Sequence, residues 1–70
     1  MSGINLSVLE GMARYLTDTK GSAVEVDKSG KKFRAIIYLD CELHAVGKGE
    51  SFVEAIKNSL EDARKEDENA

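Results

Sequence analysis

The sequence predicts an α+β fold of order α-β-β-β-α, a three-stranded antiparallel sheet with two helices on one face. Three observations carry this. Apolar residues recur at helical spacing near both ends of the chain, and they alternate at period two in between. Two turn signals, "DKSGKK" and Asp40–Cys41, divide the middle into three strands. At 70 residues the chain makes one domain, placed at 1–65, with an acidic segment at 66–70 expected to fray as a helix end.

The first helix is expected in "INLSVLEGMARYLTDTKG". Ser7 followed by Glu10 has capping-box spacing, although a start near Ile4 is equally compatible with the pattern. Val8, Leu9, Met12, Tyr15 and Leu16 fall on one broad face. Gly11 weakens this helix by about 0.5–1 kcal/mol relative to alanine, and Gly21 is a natural stop. In the first strand Val24 and Val26 alternate with Glu25 and Asp27, and Gly30 supplies positive φ in the turn. The second strand puts Phe33, Ala35, Ile37 and Leu39 on one face, with Arg34, Ile36 and Tyr38 on the other. In the third, "ELHAV", alternation sends Leu43 and Ala45 one way and Glu42, His44 and Val46 the other. The last helix starts at Ser51 with Glu54 three residues on, a second capping box. Its stripe is Phe52, Ala55, Ile56, Ser59, Leu60 and Ala63.

Size and charge bound the function. A chain this short buries about 60% of its unfolded surface, and its core supplies no more than roughly 3–5 kcal/mol. A partner subunit is one way to add stability. A single cysteine, Cys41, excludes an intramolecular disulfide and fits a reducing cytoplasm. No apolar run approaches a membrane span and no signal-peptide pattern opens the chain, so a cytoplasmic protein with no membrane partner is expected. The net charge is −3. Residues 1–60 balance eight Lys/Arg against eight Asp/Glu, so the excess lies in "EDARKEDENA". No basic footprint of a strong nucleic-acid binder is present.

The residue types of an enzyme are sparse. Cys41 and His44 are three apart, and an odd separation in a strand sends side chains to opposite faces. Zinc needs three or four ligands, and no second Cys/His pair exists. Gly47 and Gly49 precede a helix, but the phosphate-loop pattern G-x-x-x-x-G-K-[ST] is absent, and the glycines read as a change of chain direction before the cap. No catalytic residue, metal ligand, cofactor or small-molecule substrate is therefore expected.

The element order over nearly the whole chain, with Phe33 leading the second strand and Gly47, Gly49, Ser51 and Ala55 near the start of the last helix, resembles the double-stranded-RNA-binding domain. That family opens its second helix on G-x-G-x-S-K-K-x-A-K. Phe52, Val53 and Ile56 stand where it has three lysines, and "DKSGKK" stands where it has a Gly-Pro-x-His loop. The resemblance implies the fold and scaffold glycines without those RNA contacts. In the family, core-facing positions centre on the places of Ala55 and Ser59, whereas the apolar stripe here centres near Phe52 and Ile56. Helix 2 is thus either rolled to bury both residues, the expected outcome, or carries them as a contact surface. A shorter stretch, "GESFVEAIKNSLEDA", is similar to the helix of HicB-type antitoxins, through Gly49, Glu50, Ser51, Glu54, Ala55 and Asn58. It lacks that family's preceding Pro-Gly-Cys segment.

Two functional readings follow. In the first, the chain is a small non-enzymatic regulatory module acting through protein contacts, as a homodimer or an inhibitor or antitoxin-like protein. Its contact residues are Ile36, Tyr38 and Val46, expected to lie wet on the sheet face opposite the helices. In the alternative, the chain binds double-stranded RNA or another nucleic acid through Lys28, Lys31, Lys32, Arg34, Lys48 and Lys57.

Overall fold

A computed structural model describes residues 3–69. Helix α1 spans Gly3–Asp18, strands β1, β2 and β3 span Ser22–Ser29, Lys32–Leu39 and Glu42–Gly49, and helix α2 spans Phe52–Asn69. The sheet is antiparallel throughout, in the order β1-β2-β3. The expected α-β-β-β-α architecture is therefore the observed one. Among the described residues no helix is long and apolar enough to cross a membrane.

Helix α1 begins a full turn before Ser7, so Ser7 and Glu10 lie inside the helix and form no cap. Met12 is buried, and Val8, Tyr15 and Leu16 pack beside it, while Leu9 at the flank of the stripe is exposed. The helix ends where the Thr19 amide donates to the Tyr15 carbonyl at 2.9 Å, and the Ser22 hydroxyl ties the exit to the Thr19 carbonyl at 2.6 Å.

Both hairpins close on two residues. Ser29 pairs with Lys32 across Gly30–Lys31, and Gly30 takes φ +65° at the first central position, the geometry of a II′ turn. Leu39 pairs with Glu42 across Asp40 and Cys41, which adopt φ +52° and +69°. That left-handed pair is a I′ turn built without glycine. The Asp40 amide donates to the Gly21 carbonyl at 2.9 Å, anchoring this turn to the loop after α1.

Strand β3 departs from simple alternation. Ile37 pairs with Ala45 but Tyr38 pairs with Leu43, leaving His44 as an extra residue. This bulge shifts the phase by one position. Leu43 therefore shares the face of Tyr38, away from the helices, and His44 turns toward α2, the reverse of what alternation predicts. The strand also continues three residues past Val46, through Gly49.

The core lies between the sheet and the helices, with Ala35, Ile37 and Ala45 against Met12, Ala55, Ile56, Leu60 and Ala63. Small side chains let α2 approach β3 closely. A Cβ on Gly47 would overlap the Ser59 amide nitrogen and the Ala55 carbonyl oxygen, and one on Gly49 would meet the Glu54 side chain at 2.7 Å. These glycines are thus strand residues buried beneath the helix, and the expected role in turning the chain gives way to one in packing. Ser59 is fully buried, its hydroxyl donating to the Ile56 carbonyl at 2.7 Å.

Ser51 caps α2 as expected. Its hydroxyl accepts from the Glu54 amide at 3.1 Å. The Glu54 carboxylate reaches one residue further back than the standard box and accepts from the Glu50 amide at 2.9 Å. Ile56 is core, but Phe52 is 44% exposed, against the expected burial of both. Helix α2 runs antiparallel to β3, with Asp62 opposite Val46, Asn58 opposite Lys48 and Glu54 opposite Glu50. Phe52 is the first residue of the helix, beyond the end of β3 at Gly49.

Candidate protein-contact surface

The sheet face away from the helices is arranged in three cross-strand rows. Ala23, Tyr38 and Leu43 form the row nearest the β2–β3 turn. Glu25, Ile36 and Val46 form the middle row, and Asp27, Arg34 and Lys48 the third. All three predicted contact residues, Ile36, Tyr38 and Val46, thus lie side by side on this face. The bulge adds Leu43, 63% exposed and missed by alternation.

Polar neighbours fix these residues in place. The Arg34 guanidinium donates two hydrogen bonds to Asp27, Nε to Oδ1 at 3.0 Å and Nη2 to Oδ2 at 2.6 Å. These bonds hold the Asp27 carboxyl below its ordinary value of 3.8. The Tyr38 hydroxyl donates to Glu25 Oε1 at 3.3 Å. Desolvation first, and then the Glu25 charge, push the phenol upward from its ordinary value, so it is a donor at neutral pH. Flanked by Glu25, Val46, Arg34 and Tyr38, Ile36 is only 7% exposed. The expectation that it lies wet is corrected: its own neighbours screen it, and it is separate from the core beneath. The accessible apolar surface comes from Tyr38, Leu43, Val46 and Ala23.

Of the six basic candidates Lys32, Arg34 and Lys48 share the open face, and the other three lie elsewhere. Arg34 and Lys48 pair across β2 and β3 on the open face. Lys28 pairs with Phe33 on the helix side, its ammonium 5.8 Å from the ring centroid. Lys31 and Lys32 occupy the hairpin end, and Lys57 lines a groove of about 460 Å³ between α1 and α2 beside Val8, Gly11 and Leu60. Cys41 is exposed in its turn, whereas His44 bonds to Asp67 at 3.1 Å through Nε2. Residues 66–69 of the acidic segment are thus part of α2, with Asp67 in contact with His44 of the sheet, and residue 70 lies outside the described residues.

The two sheet edges differ. The outer edge of β3 is closed by α2: the Val46 amide donates to Asp62 Oδ2 at 3.0 Å, and Asn58 Nδ2 donates to the Lys48 carbonyl at 2.7 Å. A helix step of four residues rises about 6 Å and a strand step of two about 6.8 Å, so Asn58 and Asp62 match alternate edge groups of β3. Among the described residues β1 has no strand partner on its outer side. Compared with known proteins, the chain matches no family model, no curated protein and no solved structure.

Proposed function

We propose that the protein is a small, non-enzymatic binding module of the cytoplasm that acts by docking another protein surface on its open sheet face. One observation supports this above others: Tyr38, Leu43, Val46 and Ala23 adjoin on a sheet face that neither helix covers. An apolar group of this kind, bordered by the Asp27–Arg34 pair and Lys48, has the make-up of a protein contact, apolar within and polar at the margin. The likeness to the double-stranded-RNA-binding domain enters this proposal as a likeness of element order and glycine placement alone. Three of the six basic candidates lie off the open face and Arg34 is tied to Asp27, which favours the protein reading over RNA, and the lone thiol of Cys41 supports the cytoplasm.

The test is affinity capture from lysate of the source cells, with and without nuclease, using wild type and Leu43→Asp. A protein retained by wild type, lost with Leu43→Asp and indifferent to nuclease supports the proposal. Retention that disappears with nuclease overturns it in favour of nucleic acid.

A further inference from the structure

We infer that the occupant of the open face is a second copy of this chain, packed sheet on sheet about a two-fold axis parallel to the strands. The inference rests on the reading of that face as a contact surface and adds the identity and orientation of the partner.

The distribution of apolar and charged rows selects the orientation. On the open face the β1 column carries Glu25 and Asp27, the β3 column carries Lys48, and the β2 column runs from Lys32 and Arg34 to Ile36 and Tyr38. Two in-plane axes can stack this face on itself. An axis across the strands sets β1 over β1, with Glu25 over Glu25, and lays the apolar row of Tyr38 and Leu43 over Arg34 and Lys48 of the second copy. An axis along the strands sets β1 over β3. Each Asp27 then faces a Lys48, and Ala23 faces Leu43. Ile36 and Tyr38 meet their own counterparts, as do Lys32 and Arg34, the latter already held by Asp27 in each copy, and the apolar row stacks on the apolar row. The match of apolar row with apolar row, with an Asp27–Lys48 contact at each margin, selects the axis along the strands, and the facing Arg34 and Lys32 side chains weaken the contact. The sheets would sit about 10 Å apart.

Pairing through the free β1 edge is disfavoured by the same residues. It would set Glu25 and Asp27 beside the acids of the second copy, like charges across one ladder. The face is small. Three strands at about 4.8 Å spacing and eight residues at about 3.4 Å each span roughly 400 Å². Two such faces bury about 800 Å², below the 1,200–2,000 Å² of tight complexes, so the dimer is weak and reversible.

The native Cys41 reports the orientation. The axis along the strands brings both β2–β3 turns to one end, about a sheet spacing of 10 Å apart. The other axis puts them at opposite ends, about 27 Å apart by strand length. The experiment combines sedimentation over a concentration series with treatment by a bismaleimide of about 10 Å reach. The variants are Leu43→Asp and Ala23→Arg, both at exposed positions, and Lys48→Glu, each checked for folding by circular dichroism. The expected result is a concentration-dependent dimer cross-linked through Cys41, weakened at least tenfold by Leu43→Asp and by Ala23→Arg, and several-fold by Lys48→Glu. A dimer sensitive to both apolar-row variants that does not cross-link overturns the orientation. A wild type that stays monomeric while Leu43→Asp abolishes capture of a different protein overturns the second copy and leaves the contact face standing. A dimer indifferent to all three variants overturns both.

Discussion

Cys41 holds φ +69° in a position of the β2–β3 turn that favours glycine, beside Asp40 at +52°. A left-handed non-glycine residue costs about 1–2 kcal/mol, partly offset by the smaller unfolded-state entropy of cysteine. Cys41→Gly is therefore expected to raise stability by about 0.5–1 kcal/mol, read as a higher urea midpoint at unchanged slope. Gly47 is the opposite case. Its hydrogen faces backbone of α2, which cannot move aside as a side-chain tip can, so Gly47→Ala is expected to destabilise by about 1–3 kcal/mol or more. Asp27 gives a pH signature. Its folded value lies below 3.8, so its contribution is fully present above that pH and is lost as pH falls through the folded value. Unfolding free energy measured from pH 7 downward should fall below about pH 4 in wild type, and Asp27→Asn should remove that part of the slope. Legibility at this scale followed backbone demand. Gly30 was readable because a turn residue with positive φ has a composition signal. Gly47 was misread as a turn residue because the sequence does not say that a helix lies on it.

Among the elements, α2 was the most legible and its interior the most instructive. Ser51 and Glu54 mark its start, and the buried run of Ala55, Ile56, Ser59, Leu60 and Ala63 follows from helical phase. Phase gives direction around the axis but not position along it, which is why Phe52 reads as core although it opens the helix and is exposed. Ile56→Ala and Leu60→Ala should each cost about 2–5 kcal/mol, and Phe52→Ala well under half of that, by thermal or denaturant unfolding. Strand β3 was the least legible. Leu43, Ala45 and Gly47 keep period two in sequence, so nothing in the pattern announces the extra residue at His44. The edge lock of Asn58 and Asp62 was equally hidden, since polar residues beside an apolar stripe read as solvated. Asp62→Ala should leave the Val46 amide without its acceptor and raise its hydrogen-exchange rate ahead of the β2 amides.

At the scale of the molecule, the sheet has one face under two helices and one face that no described residue covers, and this division was readable from the alternation in β2 alone. Phe33, Ala35 and Ile37 face the helices; Arg34, Ile36 and Tyr38 do not. The sequence did not reveal that Ile36 is screened by its neighbours, or that Leu43 joins the open face, because both depend on cross-strand register. The split of the basic candidates, with Lys32, Arg34 and Lys48 on the open face and Lys28, Lys31 and Lys57 elsewhere, leads to an expectation for RNA. Binding to a duplex of about 16 base pairs should be absent at ~150 mM salt and appear only at low salt, where backbone electrostatics suffice. Micromolar binding at the higher salt, lost on Lys31→Glu and Lys32→Glu, would reverse the ranking of the two functions. The docking of a second copy on the open face is tested most directly by amide and methyl chemical shifts of the wild type on dilution from millimolar to micromolar. The account predicts shifts confined to Ala23, Ile36, Tyr38, Leu43 and Val46 with their strand neighbours, while Ile56, Leu60 and the α1–α2 groove stay still. Shifts that map to α1 and α2 instead, or none at any concentration, would contradict it.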